Sequence, residues 1–270
     1  MKSLAQIPEF QLLLLKKSRE LYRDMPWRDD TRPYYVFVSE IMLQQTQVVR
    51  VIPKFTEFIR RFPDVKSLAV VSLSDVVTQW QGLGYNRRAK YLHEAAKLIV
   101  NEYHGEFPST LKSLMTLPGV GKNTAGAILA YSYNYPAIFI ETNIRTVYIH
   151  HFFNDRASVD DTLILDKLQQ TLDQDSPRAF YWALMDYGSW LKTEGVRNIS
   201  KSQQYKKQAT FIGSLRQTRG EIIRQLTGGS SEIEALRARV AMDERFDYAL
   251  EGLIKDGLIQ LHKNKVHLTK

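Results

Sequence analysis

Glu40 is the residue whose type and setting most directly suggest chemistry. It follows Val36-Phe37-Val38-Ser39 and precedes Ile41-Met42-Leu43, in a stretch with helical apolar spacing. A carboxyl in such surroundings is partly desolvated, which raises its pKa and suits a general acid. A surface glutamate or a helix-end charge is the other reading of the same residue. A second group is built to hold an anion: Leu117-Pro118-Gly119-Val120-Gly121-Lys122-Asn123-Thr124-Ala125-Gly126. Two glycines flanking one apolar residue let the backbone turn tightly. The amides that open the following helix have no partner within it and carry the positive end of its dipole. This helix-hairpin-helix pattern favours a phosphate, such as that of DNA.

The elements that must position these residues are helical. Apolar positions at Val36, Val38, Ile41, Met42, Val48, Val49, Ile52, Phe55 and Ile59 predict one or two helices over 36–60. Further helices are predicted over Ser72–Gln79, Arg87–Tyr103, Pro108–Leu114, Thr124–Ser132, Asn143–Phe153, Asp160–Leu172 and Pro177–Leu191. Phe62-Pro63, Gly82-Leu83-Gly84 and Gly105-Glu106 break them. Near Gly195 the composition shifts. From Arg197 to Arg224 the basic residues 197, 201, 206, 207, 216, 219 and 224 face one acidic residue, Glu221. With Gln203, Gln204 and Gln208 this stretch suits an exposed, DNA-facing linker, or simply a solvated connector. Beyond it, Thr218–Leu226, Glu232–Val240 and Asp243–Asp256 read as three helices. Residues 257–261 and 266–268 then alternate around Lys263-Asn264-Lys265 as a β-hairpin. That order suggests a winged helix. Its third helix is strongly acidic (Asp243, Glu244, Asp247, Glu251, Asp256), so packing or protein contact is at least as apt a role as DNA reading.

The 270 residues carry 37 Lys and Arg against 29 Asp and Glu, a net charge of +8 that favours a polyanionic partner or serves solubility alone. Zero cysteines exclude disulfides, thiolate catalysis and a cysteine-ligated cluster. No apolar run approaches the ~20 residues that span a bilayer. The run Leu12–Leu15 is too short for a convincing signal peptide, so a cytoplasmic, nucleoid-associated protein without membrane contact is expected.

The hairpin, with Met25-Pro26-Trp27-Arg28, Ser39-Glu40-Ile41-Met42-Leu43-Gln44-Gln45-Thr46-Gln47 and Gly82-Leu83-Gly84-Tyr85, closely resembles the adenine DNA glycosylases (MutY) of the endonuclease-III superfamily. The resemblance covers roughly residues 20–190. It implies a base-excision enzyme acting as a monomer on duplex DNA with a mispaired or damaged base. Cleaving an N-glycosidic bond requires protonating the base and stabilising an oxocarbenium-like sugar, work that two carboxylates can divide. The base must first leave the stack. By the resemblance Glu40 protonates the adenine. Glu141, in Ile140-Glu141-Thr142-Asn143, takes the place of the family's aspartate, and Asn143 matches its asparagine. The extra methylene moves the carboxylate, and misplacement on the order of 1 Å can cost ~100-fold. Glu141 therefore either does the aspartate's work with a shifted backbone, makes a slow or altered enzyme, or marks a protein that binds DNA without cutting.

Relatives that also nick the strand carry a lysine two residues after the second hairpin glycine as a Schiff-base nucleophile. Here that residue is Asn123, so a monofunctional glycosylase is implied, with Lys122 as a phosphate contact. Gly119, Val120, Gly121, Lys122, Asn123 and Thr124 are the expected backbone grip on DNA. Gln44, Gln45 and Tyr85 match residues that insert near the target or its partner base. Leu83 is a wedge or a loop anchor. Trp27, Arg28, Trp182 and Asp186 match the base pocket, although Trp27 suits plain core equally well.

Three departures stand out. The four cysteines that bind an iron–sulfur cluster after the helix ending near Leu191 are absent, so neither metal nor cofactor is expected. Trp182 stands where adenine-specific relatives have a base-contacting glutamine, and an indole cannot both donate and accept as an amide does. Residues 215–270 are too few for the oxoguanine-sensing domain. The expected fold class is all-α, a two-lobed helical body with a small winged-helix-like α+β module. The lobes would be 1–33 with 136–212, and 34–135 with the hairpin at 117–126; the module would be 213–270. The expected reaction is removal of adenine opposite guanine or 8-oxoguanine. The alternatives are thymine or uracil opposite guanine, a deaminated or alkylated base, or mismatch binding without catalysis.

Overall fold

The computed structural model describes residues 2–206, 208–241 and 243–270. The helices are α1 (Lys2–Glu20), α2 (Pro26–Asp29), α3 (Pro33–Leu43), α4 (Val48–Arg61), α5 (Val65–Val70), α6 (Leu73–Gln79), α7 (Arg87–Glu102), α8 (Leu111–Leu114) and α9 (Lys122–Tyr133). They continue as α10 (Thr142–Phe152), α11 (Asp161–Thr171), α12 (Pro177–Thr193), a 3-10 turn over Asn198–Lys201, and α13 (Leu215–Leu226). The C-terminal stretch adds β1 (Ser231–Glu232), α14 (Ile233–Val240), α15 (Arg245–Lys255), β2 (Ile259–His262) and β3 (Lys265–Leu268). The all-helical body and the small C-terminal sheet are as the periodicity predicts. α1, α2, α5 and β1 are elements that the apolar spacing did not reveal.

Short polar side chains start many of these helices. Asp64, Ser72, Thr110, Asp160 and Ser214 each accept an amide from the first turn of the helix they precede. At Asp64 with Ser67, and at Thr110 with Ser113, the cap is reciprocal.

The chain forms two compact units. The first comprises residues 1–36, 109–115 and 120–207; the second comprises 37–108, 116–119 and 208–270. Along the sequence their segments alternate more often than those of the lobes expected from sequence: α9, placed with the barrel lobe there, packs with α12 in the first unit.

The core of the first unit is the crossing of α10 and α12. Ile144, Val147 and Tyr148 on one helix, and Tyr181 and Leu184 on the other, are fully buried. Contact is closest at Gly188, where a Cβ would lie 2.5 Å from the Asn143 carbonyl oxygen. Only glycine allows that approach, so α12 is held against the first turn of α10.

In the second unit, α4–α7 enclose Phe55, Phe58, Phe62, Leu68, Val76, Trp80 and Leu92. Phe58 meets Phe62 and Trp80 edge-on, at centroid distances of 4.9 and 6.1 Å. The same unit contains the C-terminal module, whose order is helix, strand, helix, helix, strand, strand. β3 lies between β1 and β2 with antiparallel pairing, the topology of a winged helix. Lys263 and Asn264, both at left-handed φ, make the tight turn of its hairpin. The module docks through Asp256, whose carboxylate is nearly buried and accepts from Arg87 of α7 and Arg219 of α13. Lys90 donates to the Asp256 carbonyl at 2.7 Å. Asp243 and Asp247 pair with Arg245 and Arg237. Asp243, Asp247 and Asp256, three of the acidic residues of the predicted third helix, are thus paired with arginines.

Candidate active site

Glu40 lies in the last turn of α3, half-buried, between Ser39 and Ile41, which are fully buried. A helix end leaves its final carbonyls without partners inside the helix. Here Arg88 supplies them. One terminal nitrogen donates to the carbonyls of Ile41, Met42 and Gln44 at 2.9, 2.8 and 2.6 Å. The other donates to Thr46 Oγ1 at 3.0 Å and to the carbonyls of Leu83 and Gly84 at 3.1 and 2.9 Å. Burial lowers the Arg88 pKa to about 10, still leaving it charged at neutral pH. One buried guanidinium therefore ties the turn after Glu40 to the Gly82–Tyr85 loop. Sequence reasoning missed Arg88; its only mark was a position just after the Gly-Leu-Gly-Tyr segment.

The residues expected to enter DNA are grouped around this clamp. Gln44 Nε2 donates to the Gly119 carbonyl at 3.2 Å, so this amide supports the hairpin turn. Gln45 is exposed at φ 57°, and Tyr85 is held at φ 48°. The Tyr85 hydroxyl meets Gln208 and Arg216, whose guanidinium also lies 5.1 Å from the ring centre. Leu83 is 3% exposed, which makes it a loop anchor.

At the hairpin, Gly119 adopts φ 78°, and Val120 is buried. Gly121 is the N-cap of α9 and brings no capping side chain, while Gly121, Lys122 and Asn123 are exposed. Thr124 is half-buried. The open N-terminus of a twelve-residue helix is thus presented with a lysine beside it. Asn123 has a further contact: its Oδ1 accepts from the Ile140 amide at 3.4 Å, next to Glu141 in the chain.

Glu141 is the N-cap of α10. Its Oε1 accepts from the amides of Asn143 and Ile144 at 2.6 and 3.1 Å. No hydrogen bond among the described residues reaches Oε2. Burial raises the Glu141 pKa, opposed by Lys192, the two amides and Arg145. Asn143 Oδ1 accepts from Lys192 Nζ at 2.6 Å, while Arg145 is committed to Asp161 at 2.8 and 2.6 Å. Lys192 also escaped the sequence reading, because it lies just before the basic run that begins at Arg197.

The expected base-pocket residues come together in part. Arg28 donates to both Asp186 oxygens, at 2.7 and 3.0 Å, and Arg23 Nε adds a bond of 2.6 Å. Asp186 is therefore saturated by two arginines and holds Arg28 in place. The Arg28 guanidinium lies 5.2 Å from the ring centres of both Tyr22 and Trp182. Trp182 stacks on Tyr131 with centroids 6.4 Å apart. Trp27 is buried.

After α12 the chain is stitched to its own unit. Asn198 Nδ2 donates to the Thr146 carbonyl at 2.9 Å, and the Val159 amide donates to the Lys201 carbonyl at 2.8 Å. Gln203 donates to Ser158 and Gln204 to Asp160, at 3.1 and 2.9 Å. The expected free linker is thus a docked strap over 198–204; Lys207 lies outside the described residues. With no cysteine in the chain, its residues do not fit an iron–sulfur cluster, and these hydrogen bonds hold the segment instead. Among the described residues no group of three or more His, Cys, Asp or Glu is placed to hold a metal ion. None of the described helices is long and apolar enough to cross a membrane.

Residues 38–170 match the family model for HhH-GPD superfamily base excision DNA repair proteins. The adenine DNA glycosylase of Mycolicibacterium smegmatis is 31% identical over 258 residues, covering 88% of each chain. The chain belongs to the HhH-GPD superfamily. Adenine DNA glycosylases are among its relatives within that superfamily. The one from Buchnera aphidicola subsp. Baizongia pistaciae is 36% identical over 171 residues, 62% of this chain and 48% of the relative. The chain spans about half the length of the Buchnera relatives it matches. The HhH-GPD fold is also that of a thermostable thymine-DNA glycosylase, with a TM-score of 0.63 at 23% identity, over 70% of this chain and 88% of that one.

Proposed function

We propose that this protein is a monofunctional DNA glycosylase of base excision repair that removes adenine mispaired with guanine or 8-oxoguanine. The observation that carries this reading is the identity with the adenine DNA glycosylase of M. smegmatis over 88% of both chains. The partner is duplex DNA, gripped in part by the α9 N-terminus, and the protein works as a monomer.

Glu40 acts as the general acid. Protonating the base lets it leave with the electrons of the N-glycosidic bond, while the sugar becomes an oxocarbenium-like cation. Glu141 stabilises that cation through Oε2, since the amides of Asn143 and Ile144 hold Oε1. Both amides were aimed before any charge developed, so little reorganisation accompanies bond cleavage. Water then adds to the sugar carbon and leaves an abasic site. Asn123 offers no amine, so the strand is not nicked by the enzyme.

Trp182 favours a second reading, a glycosylase of altered base choice. It stacks on Tyr131 and lies beside Arg28, offering a ring face in place of the donor and acceptor pair of an amide.

One assay separates the readings. The protein is incubated with duplexes carrying A opposite G, A opposite 8-oxoguanine, T opposite G, U opposite G and hypoxanthine opposite T, then treated with hot alkali. Alkali-dependent cleavage at adenine is expected. Cleavage confined to T, U or hypoxanthine replaces the adenine assignment, and tight binding without any cleavage removes the enzyme. Glu40→Gln is expected to abolish turnover and retain binding; an active Glu40→Gln variant places the acid elsewhere.

A further inference from the structure

Lys192 is an ammonium half-buried in the last turn of α12. Its Nζ donates to Asn143 Oδ1 at 2.6 Å, and the amide of that same Asn143 donates to Glu141 Oε1 at 2.6 Å. One residue thus bridges a cation and an anion. The bridge is fixed by packing, because Gly188 holds α12 against the Asn143 carbonyl with no room for a methyl group. A desolvated carboxylate in such a place needs a counter-charge or it takes up a proton.

Charged groups on α10 and on the elements packed against it are engaged as well. Arg145, on α10, is paired with Asp161 of α11. Asp186, on α12, is paired with Arg28 and Arg23. Lys201, in the 3-10 turn, donates to the Asn154 carbonyl. Lys192 is the cation bonded to Asn143, and Arg145, though paired with Asp161, adds a smaller favourable field at Glu141.

We propose that Lys192 is a positioning residue of the Glu141 site: its ammonium, bonded to Asn143, is the counter-charge that lets Glu141 stay anionic while desolvated. This rests on the reading of Glu141 given above, and it adds a residue from α12 to the machinery. The direction of the coupling agrees with it, since Lys192 favours the charged form of Glu141 and Glu141 that of Lys192, each against its own burial.

The test has two readouts on the whole protein. In protein with carbon-13-labelled glutamate, the Glu141 carboxyl resonance, assigned through Glu141→Gln, is titrated in the wild type and in Lys192→Met, Lys192→Gln and Lys192→Arg. The midpoint is expected to move up by roughly one pH unit in the Met and Gln variants and to return in the Arg variant. An unmoved midpoint overturns the proposal whether or not the protein cuts DNA. If Lys192→Met does not fold, Lys192→Gln, which keeps a polar head for Asn143, carries the comparison.

In single-turnover excision, the Met variant is expected to lose about 10- to 100-fold in rate at neutral pH with duplex affinity little changed. Its acid limb should shift to higher pH. A loss confined to affinity, with a weaker salt dependence, makes Lys192 a phosphate contact and overturns the proposal. A Glu141→Gln variant that excises like the wild type removes the role given to Glu141 and leaves the titration result standing.

Discussion

Arg88, on α7, donates a 2.8 Å hydrogen bond to the main-chain carbonyl of Met42, two residues beyond Glu40 in α3. With its bonds to Ile41, Gln44, Thr46, Leu83 and Gly84, it closes the end of α3 and the following turn with one side chain. Arg88→Met keeps the stem and removes every donor. The orphaned buried carbonyls cost about 1–3 kcal/mol each where water cannot reach them. The variant is expected to lose at least ~3 kcal/mol in urea unfolding and to show disturbed amide resonances at Ile41 and Leu83. Wild-type stability in Arg88→Met would mean that the turn holds itself.

Asp186 balances two arginines while its own side chain is almost completely buried. Asp186→Asn keeps the shape and removes the charge, leaving the Arg28 guanidinium buried without its partner. Breaking such a pair from one side costs roughly 3–5 kcal/mol. Thermal melts should show a large drop for Asp186→Asn. A double variant, Arg28→Met with Asp186→Leu, should recover much of the loss, because the fully buried charge of Arg28 is removed with its partner and Arg23, about a third exposed, is left able to reach water.

His151 gives the stability a predictable pH dependence. Burial, with His150 beside it, lowers its pKa from 6.5 to about 4, and its Nε2 lies 2.9 Å from the Tyr187 hydroxyl. Above pH 6.5 the ring is neutral in both folded and unfolded chains, so it adds no pH dependence. Between about 6.5 and about 4 the unfolded chain binds the extra proton, and stability falls as the solution is acidified. The slope from this one group approaches about 1.4 kcal/mol per pH unit. His151→Gln should flatten urea-unfolding stability across that window, and an unchanged slope would assign the effect to other groups.

Lys122 stands exposed at the open end of α9. If it neutralises one phosphate, Lys122→Ala should weaken binding to matched and mismatched duplexes alike. The slope of log affinity against log salt should fall by roughly one. Fluorescence anisotropy at several salt concentrations measures both, and a loss restricted to mismatched DNA would make Lys122 a reader of the lesion.

The helices and the hairpin were legible in the sequence because both are local. Apolar spacing reports which face of a helix is buried, and Gly-Val-Gly before a helix reports an exposed amide terminus. Glu40, Glu141 and Asn143 were legible as residue types in recognisable company. The zero cysteine count alone excluded the cluster. What each side chain does with its polar atoms was decided by tertiary structure. Asp186, expected beside a base, is saturated by Arg28 and Arg23, and Asp256, the residue that caps α15, is nearly buried between Arg87 and Arg219. Arg88 and Lys192 had no distinguishing sequence pattern, because the α3 carbonyls and the turn that Arg88 holds lie 42–47 positions away, and Asn143 lies 49 from Lys192. Periodicity carries burial, which is a property of one element. The partner of a buried charge is a property of two elements, and only their packing selects it.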